Sequence, residues 1–348
     1  MGSSFGGVTN VAYNLPRALA ENVTITSFPT FLPNTQNVSR LLNVYRRLAV
    51  KDFDVIHVCH SPGWIAGSYL LFKYAKMSHI FTILNIHGII QMEELLYDLH
   101  TISFWRTSYK GLLSTLRYCK LADKIVTYSE FMKNEIVTWY RVNSEKIAVI
   151  PNGVDYNKFS YCKRVIELGG DPAILYLGNL ARFKGPDLLI RAIARLRTRL
   201  PKLKLHLVGP GNISELKSLA KKEGVETLVI FHGRVAPEDA AQYYKAADFC
   251  VFPSVRDNGT ITLLEAMASG TPLIASNRGG TSEIVSHLKN GMLFEPDDAD
   301  ALPNAILSMY SDSELRKTIV SNARKTAKQF SWENIAKKYV LLYRSLLE

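Results

Sequence analysis

Residues 253–272 read PSVRDNGTITLLEAMASGTP, and this stretch decides the predicted fold around it. The apolar run at residues 249–252 predicts a strand that ends at Pro253. A polar loop with a glycine follows, and the pattern of a helix begins near Thr260 or Ile261. The first N–H groups of a helix have no partner within it, and the helix dipole is positive there. The pattern therefore predicts an anion site at the helix start that suits a diphosphate.

Glu265 lies about one turn into this predicted helix. Its carboxylate can reach the same mouth and accept hydrogen bonds from ribose hydroxyls, as acidic residues do in other Rossmann-like sites. An ordinary strand, capping loop and helix would show the same pattern without any ligand. The residues alone leave both interpretations open.

The same stretch resembles the donor-site signature of retaining family-4 glycosyltransferases, which have the GT-B fold. That signature is a Glu, seven residues and a second Glu, followed by Ala-Met-Ala-x-Gly-x-Pro. Glu265 stands at the second acid, residues 266–272 match the tail, and Asp257, a shorter carboxylate, stands at the first acid. The resemblance implies that Asp257 contacts the donor sugar and that Glu265 binds ribose. The predicted donor-binding residues of the loop and helix start are Asn258, Gly259, Thr260 and Ile261.

A second segment, LGNLARFKGPDLL at residues 177–189, resembles the family pattern Gly-Arg-Leu, three residues, Lys-Gly and a helix. Lys184 fits the lysine that grips the donor diphosphate, a task for which a compact point charge is suited. Asn179 stands where the family has an arginine, and Arg182 is the candidate replacement for that charge. Alternatively, Lys184 and Arg182 are ordinary solvated residues of a loop.

Three further segments contribute predicted donor contacts. Residues 231–235 resemble the strand and turn that hold the nucleobase through backbone groups, which implies that Val235 contacts the base. His87 follows a predicted strand, where family members place a histidine facing the donor sugar. A histidine at a strand end is otherwise an ordinary loop residue. Gly6 and Gly7 fit the loop whose N–H groups approach the phosphates, because a Cβ there would block close approach.

Short apolar runs alternate with amphipathic helix patterns along the chain, which predicts parallel sheets covered on both faces. The strands predicted in the first half are residues 23–28, 54–60, 79–86, 124–128 and 146–150. Those predicted in the second half are residues 173–177, 203–208, 228–231, 249–252, 272–275 and 292–294. Two such arrays in one chain predict two α/β lobes.

With the resemblance, the predicted fold is α/β of the GT-B type, with two facing Rossmann-like, doubly wound domains. Residues 1–155 are expected to form the N-terminal acceptor-side domain and residues 156–328 the C-terminal nucleotide-sugar-binding domain. Residues 329–348 are expected to form a helix that crosses back to the N-terminal domain. Only residues 1–5 precede Gly6, so the N-terminal domain is expected to lack its first strand. A late start and an expression leader are the alternatives.

The 348 residues carry a formal net charge of +11, spread over both halves of the chain. This distribution argues against a nucleic-acid-binding domain and suits phosphorylated ligands. No run of about 20 apolar residues occurs, so no membrane-spanning helix is predicted. The four cysteines predict free thiols in a reducing cytosol. Residues 105–120 mix aromatic and basic side chains, which predicts either peripheral contact with an anionic membrane surface or a solvated helix face. The expected location is cytoplasmic, with the inner face of the cell membrane as the peripheral site.

The resemblance implies transfer of a hexose from a nucleoside diphosphate sugar to an acceptor hydroxyl of a glycan or lipid-linked glycan, with retained anomeric configuration. His87, Asp257 and Lys184 are the predicted catalytic residues, and no metal or other cofactor is expected. Two alternatives stay open. One is a non-catalytic homologue that binds nucleotide sugars as a regulatory subunit, which Asn179 and Asp257 favour. The other is a sugar-nucleotide epimerase.

Overall fold

The computed structural model describes residues 7–25, 53–60, 66–87, 115–255 and 261–348. These residues fall into two compact units. The C-terminal unit contains Asn152–Asn334, and the N-terminal unit contains Val8–Pro151 together with Ile335–Glu348. Each unit is built on its own parallel β-sheet.

The N-terminal unit has four described strands in the order β1-β2-β3-β4, all parallel. They are β1 (Val55–His60), β2 (Phe81–Ile86), β3 (Lys124–Thr127) and β4 (Ile147–Val149). Its described helices include α1 (Gly7–Leu19), α2 (Ala66–Met77) and α3 (Glu130–Tyr140). The four strands confirm the predictions for residues 54–60, 79–86, 124–128 and 146–150, with ends that shift by at most two residues.

The strand predicted at residues 23–28 is wrong for residues 23–25, which are not extended in a sheet. The N–H groups of Asn22 and Val23 both donate to the carbonyl oxygen of Leu19, at 2.8 and 3.1 Å. These bonds close the end of α1 in a turn and occupy the donors that a ladder would need. Residues 26–28 lie outside the described residues.

Helical residues 115–121 pack against this sheet, and this packing corrects part of the membrane-surface prediction. Tyr118 was expected to share an exposed face with basic residues, yet only 1% of it is exposed. Its ring meets that of Phe72 edge to face, with centroids 5.9 Å apart. The free energy is lower with the ring buried in the core than with it exposed, because a tyrosine ring carries a large apolar area. Residues 105–114 lie outside the described residues.

The C-terminal unit has six strands, all parallel, in the order β10-β9-β8-β5-β6-β7. They are β5 (Ala173–Leu177), β6 (Lys204–Val208), β7 (Val229–Gly233), β8 (Phe249–Phe252), β9 (Leu273–Ser276) and β10 (Met292–Phe294). Its helices are α4 (Tyr156–Ser160), α5 (Pro186–Leu196), α6 (Ile213–Lys222), α7 (Ala240–Ala246), α8 (Ile261–Ser269), α9 (Ala301–Ser311) and α10 (Ser313–Gln329). All six strand predictions for this half are confirmed, three of them with the predicted ends.

Successive residues of β5 enter different cores, which explains why the strand reads as an unbroken apolar run. Ile174 and Tyr176 belong to one buried cluster, and Leu175 and Leu177 belong to the other. Side chains alternate across a strand, so a sheet covered on both faces needs apolar residues at every position. The run AILYL meets that need.

The strand order reverses next to β5, and this positions the site. The chain proceeds from β5 outward to β6 and β7, then returns to place β8 on the other side of β5. In an open parallel sheet such a reversal leaves a crevice at the carboxyl ends of the two central strands, where ligands bind. Here those strands are β5 and β8.

The chain enters and leaves the C-terminal unit at adjacent points. The Val154 N–H donates to the carbonyl oxygen of Phe330 (2.9 Å), and the Trp332 N–H donates to that of Val154 (3.2 Å). Gly153 makes room for this pairing, because a Cβ there would stand 2.4 Å from the Trp332 ring. The last helix, α11 (Trp332–Leu347), starts here. From Ile335 onward it belongs to the N-terminal unit, where the Tyr339 hydroxyl accepts a hydrogen bond from the Asn85 side chain at 2.9 Å.

Candidate donor-binding site

The loop after β5 carries Lys184 to the edge of the switch point. A short 3₁₀ turn, Arg182–Lys184, ends at Gly185, whose φ of 72° is left-handed. A Cβ on Gly185 would stand 2.1 Å from the carbonyl oxygen of Pro253, so only glycine fits there. Helix α5 then starts at Pro186, a favoured residue for a first helical position.

A backbone hydrogen bond ties this loop to the loop after β8. The Val255 N–H donates to the carbonyl oxygen of Phe183 at 3.0 Å. Together with the close approach of Gly185 to Pro253, this bond fixes the backbone on either side of Lys184. The structure thus brings together the two sequence segments from which the donor site was predicted.

The cations of this loop differ in exposure. Lys184 is half-buried, with its Nζ 5.6 Å from the centroid of the Phe183 ring. Arg182 and Asn179 are exposed. The backbone carbonyl of Asn179 accepts a hydrogen bond from the Tyr176 hydroxyl at 2.6 Å, which holds the start of the loop against β5.

Helix α8 carries Glu265 one turn from its first described residue, Ile261, as the sequence predicted. The neighbours of Glu265 on this helix are almost all buried apolar residues. The buried Tyr244 hydroxyl donates to Glu265 Oε2 at 3.2 Å. Burial raises the pKa of Glu265 to about 7, while the Tyr244 hydrogen bond and the positive charge of Lys158 oppose this rise. The carboxylate is therefore poised near neutral pH, which is typical of functional sites.

Glycines bring the next strand ends close to the same edge. The Gly178 N–H donates to the carbonyl of Val208 (2.9 Å), and the Gly209 N–H donates to that of Gly233 (2.8 Å). A Cβ on Gly209 would stand 1.8 Å from the carbonyl oxygen of Gly178. Val235 follows Gly233 by two residues and is half-buried. The segment predicted to hold the nucleobase thus begins beside the loops that follow β5 and β6.

The sequence did not predict that His232 of this segment pairs with His206. His206 Nε2 lies 2.8 Å from the carbonyl oxygen of Gly169, and His206 Nδ1 lies 2.9 Å from His232 Nε2. A carbonyl only accepts, so a neutral His206 is protonated on Nε2 and accepts on Nδ1 from His232 Nε2–H. Burial lowers the pKa of both rings, and for His232 the neighbouring His206 lowers it further.

The signal for this pair lies in the strand register. His206 pairs with Ile230, and the register then shifts so that Val208 pairs with Gly233, which makes His232 the extra residue of a bulge. The two residues are 26 positions apart in the chain. Without the register, nothing marks them as neighbours.

Two comparisons with known proteins decide the family. A family model described as glycosyl transferases group 1 matches residues 163–326, and one described as glycosyltransferase family 4 matches residues 8–158. An uncharacterized glycosyltransferase of Methanocaldococcus jannaschii is 32% identical over 317 residues, which are 86% of this chain and 77% of that relative. The chain belongs to the family-4, group 1 glycosyltransferases.

Other similar proteins agree with this assignment. A D-inositol 3-phosphate glycosyltransferase of Corynebacterium urealyticum is 30% identical over 242 residues, which are 65% of this chain and 57% of that relative. A crystal structure of HepE from Anabaena, in complex with UDP and glucose, matches with a TM-score of 0.76 at 19% identity and covers 99% of this chain and 97% of that one. This likeness confirms the predicted GT-B fold.

The structure of this glycosyltransferase gathers Lys184, Arg182, Glu265, Ile261 and Val235 in the C-terminal unit. The remaining predicted residues of that loop, Asp257, Asn258, Gly259 and Thr260, lie outside the described residues. Gly6 also lies outside them, and Gly7 is the first residue of α1.

His87 belongs to the N-terminal unit of this glycosyltransferase. It directly follows β2, as predicted. The Tyr128 hydroxyl donates to its backbone carbonyl, and the two rings lie 6.0 Å apart. These contacts hold the end of β2 next to the end of β3.

Two further findings concern the described part of the glycosyltransferase only. None of its described helices combines the length and the apolar character needed to cross a lipid bilayer. No three His, Cys, Asp or Glu residues of the described ranges come together as a metal site would require.

The four cysteines, Cys59, Cys119, Cys162 and Cys250, are free thiols, as predicted.

Proposed function

We propose that this glycosyltransferase transfers a hexose from a nucleoside diphosphate sugar to an acceptor hydroxyl and retains the anomeric configuration. The observation that carries the proposal is the hydrogen bond between Val255 and Phe183, with Gly185 packed on Pro253. It joins the Lys184 loop to the loop that leads into α8, at the carboxyl ends of β5 and β8. A diphosphate needs a cation and N–H donors side by side: we propose that Lys184 supplies the cation and that the first turn of α8 supplies the donors.

Each residue has a distinct proposed role. Lys184, Arg182 and the start of α8 at Ile261 stabilise the charge of the departing diphosphate, which is an electrostatic contribution. Glu265 accepts hydrogen bonds from the ribose, and the backbone near Val235 meets the base. Asp257 is proposed to contact the sugar, and His87 stays a sugar-positioning residue on the strength of the resemblance alone.

The proposed reaction needs no protein nucleophile. The bond between the anomeric carbon and the diphosphate oxygen breaks, and the acceptor oxygen bonds to that carbon on the same face. The acceptor proton passes to the departing phosphate oxygen, so charge and atoms balance. We propose that no metal or other cofactor takes part.

The names of similar proteins support the donor class. The Anabaena HepE structures hold UDP with glucose or UDP-glucose, and several relatives are named for transfer to D-inositol 3-phosphate. We propose a nucleotide sugar as donor and a glycan or lipid-linked glycan as acceptor. Peripheral contact with an anionic membrane from a cytoplasmic position remains part of this proposal, as does the absence of nucleic acid binding.

The test is release of nucleoside diphosphate from UDP-, GDP- and ADP-sugars. Wild type is compared with Glu265→Ala and Lys184→Ala, and with the exposed-residue controls Glu226→Ala and Lys202→Ala. We expect one donor to be consumed, both site variants to lose most of that activity, and both controls to keep it. Binding without turnover of any donor, across a broad acceptor set, would overturn the transferase proposal.

A further inference from the structure

Two other helices of the C-terminal unit influence Glu265: α7 through a hydrogen bond and α4 through a charge. From α7, the Tyr244 hydroxyl lies 3.2 Å from Glu265 Oε2 and 3.4 Å from the carbonyl oxygen of Thr262, one turn before Glu265. Tyr244 is itself anchored, because the buried Thr271 hydroxyl donates to its backbone carbonyl at 2.7 Å. A buried phenol with a fixed backbone is a directed donor rather than a mobile one.

Helix α4 contacts Tyr244 through Phe159 and carries the positive charge of Lys158. The Phe159 ring meets the Tyr244 ring edge to face, with centroids 6.0 Å apart. Lys158 Nζ lies 5.3 Å from the Phe159 ring centroid, and its positive charge acts on Glu265. The same Nζ donates to the carbonyl oxygen of Pro237 at 2.8 Å.

Pro237 lies two residues after Val235, in the loop that leaves β7. The ammonium group that binds the loop proposed to meet the base therefore also acts by its charge on the carboxylate proposed to bind the ribose. Base and ribose are joined by one bond in every nucleotide, so these two binding elements serve adjoining parts of one ligand.

We propose that Lys158 and Tyr244 are positioning residues that hold Glu265 ionised and aimed at the donor ribose. This proposal rests on the proposed role of Glu265. Neither residue needs to touch the donor. Both act through the carboxylate, Tyr244 by a hydrogen bond and Lys158 by its charge.

The proposal has a consequence for pH. Ribose hydroxyls donate to the ionised carboxylate, so donor binding requires the Glu265 proton to leave. The described groups that face Glu265 from packed helices are Tyr244 on α7 and Lys158 on α4, and both favour ionisation. Arg324 of α10 lies against Gly270, beyond the other end of α8. Removing Lys158 or the Tyr244 hydroxyl therefore moves ionisation of Glu265 to higher pH.

The experiment measures the dissociation constant of a sugar nucleotide by calorimetry between about pH 5 and about pH 9. UDP-, GDP- and ADP-glucose are the probes, because a diphosphate esterified at both ends has no proton that titrates near neutrality. We expect wild-type affinity to rise as pH increases through about 7 and then to level off. Glu265→Gln should bind weakly with no such rise.

Lys158→Met and Tyr244→Phe should move the midpoint of this rise upward by about one pH unit, which is about fivefold weaker binding at about pH 7. Lys158→Arg should restore the wild-type profile, since it keeps the charge and the donors. The controls Lys163→Met and Tyr161→Phe, both at exposed positions of the same stretch, should match wild type.

The two proposals fail in different ways. If Glu265→Gln binds the donor as wild type does, with the same pH profile, Glu265 does not bind the ribose and the proposed function of this site is wrong. If Glu265→Gln removes the pH dependence while Lys158→Met and Tyr244→Phe keep the wild-type midpoint, the positioning role is wrong and the proposed function stands.

Discussion

The Lys184 loop and the Glu265 helix serve one proposed site but are held in place by different forces. The Lys184 loop is fixed by its backbone, through the left-handed Gly185, its approach to Pro253 and the bond from Val255 to Phe183. Glu265 is held through its side chain, which accepts a hydrogen bond from Tyr244. Both side chains are half-buried, but the apolar neighbours of Glu265 on α8 disfavour its charged form and raise its pKa.

This difference predicts which substitutions change stability and which change donor binding. The half-buried Lys184 places a charge at the site at little cost, because water still solvates it. Glu265 is desolvated, which costs folding free energy but strengthens its hydrogen bonds to a ligand. Substitutions in the loop backbone should therefore act on stability, and those of the two side chains mainly on the donor.

The largest effect is expected for Gly185→Ala. Its Cβ would collide with Pro253 O, and φ is 72°. We expect a loss of about 3 to 5 kcal/mol in the free energy of unfolding, together with loss of donor binding. Urea denaturation measures it. Gly233→Ala is the matched control, since φ is 68° with nothing within 4 Å, and it should cost only about 1 to 2 kcal/mol. Equal losses would show that the contact with Pro253 does not hold the loop.

The second-largest effect is expected for Lys184→Ala. Removing one charge that stabilises the transition state costs about 10² to 10³ in kcat/KM. The free energy of unfolding should change by less than about 0.5 kcal/mol, as for most surface substitutions. Steady-state kinetics and thermal unfolding are measured on the same preparations, with Lys202→Ala beside them. A large fall in Tm would mean that Lys184 supports the fold rather than the donor.

Glu265→Gln should weaken donor binding but increase the free energy of unfolding. The folded pKa of about 7 lies above the ordinary value of 4.5, so the folded chain holds the proton more tightly than the unfolded chain. The wild-type carboxyl therefore destabilises the fold increasingly as pH rises between these values. At about pH 8 the glutamine should stabilise by up to about 3 kcal/mol, and at about pH 4 by nothing. Thermal unfolding at the two pH values decides it, and an equal change at both would contradict the desolvation argument.

The smallest effect is expected for Arg182→Ala. Its side chain is exposed, and exposed charge pairs contribute about 1 kcal/mol or less. We expect a roughly fivefold fall in donor affinity that disappears at high salt. Arg199→Ala, also exposed, provides the baseline. A fall as large as that of Lys184→Ala would show that Arg182 fully replaces the arginine absent at Asn179.

Most of the fold could be predicted because the strands are local patterns. AILYL at β5 and FCVF at β8 are buried on both faces, so apolar character at every position marks them directly. The error at residues 23–25 arose where an apolar run continues past a helix end. Nothing in the run itself shows that its first N–H group, that of Val23, caps α1 together with that of Asn22.

The candidate site was predictable only where its parts adjoin in sequence. Lys184 with Gly185, and Glu265 with the helix start, form short motifs with a physical reason for each residue. Tyr244 and Lys158 gave no signal, because they meet Glu265 from 21 positions before it and from a helix near the domain junction.

The sequence by itself determined the alternation of strands and helices, the glycine at the left-handed position and the two charges of the donor motifs. These are properties of single residues and their near neighbours. Tertiary structure alone decided that β8 returns beside β5, that the Val255 N–H bonds to the Phe183 carbonyl, and that the Tyr244 hydroxyl bonds to Glu265. Those facts depend on strand order and on side chains far apart in the chain. Burial, which sets the pKa of Glu265, exists only once the chain has folded.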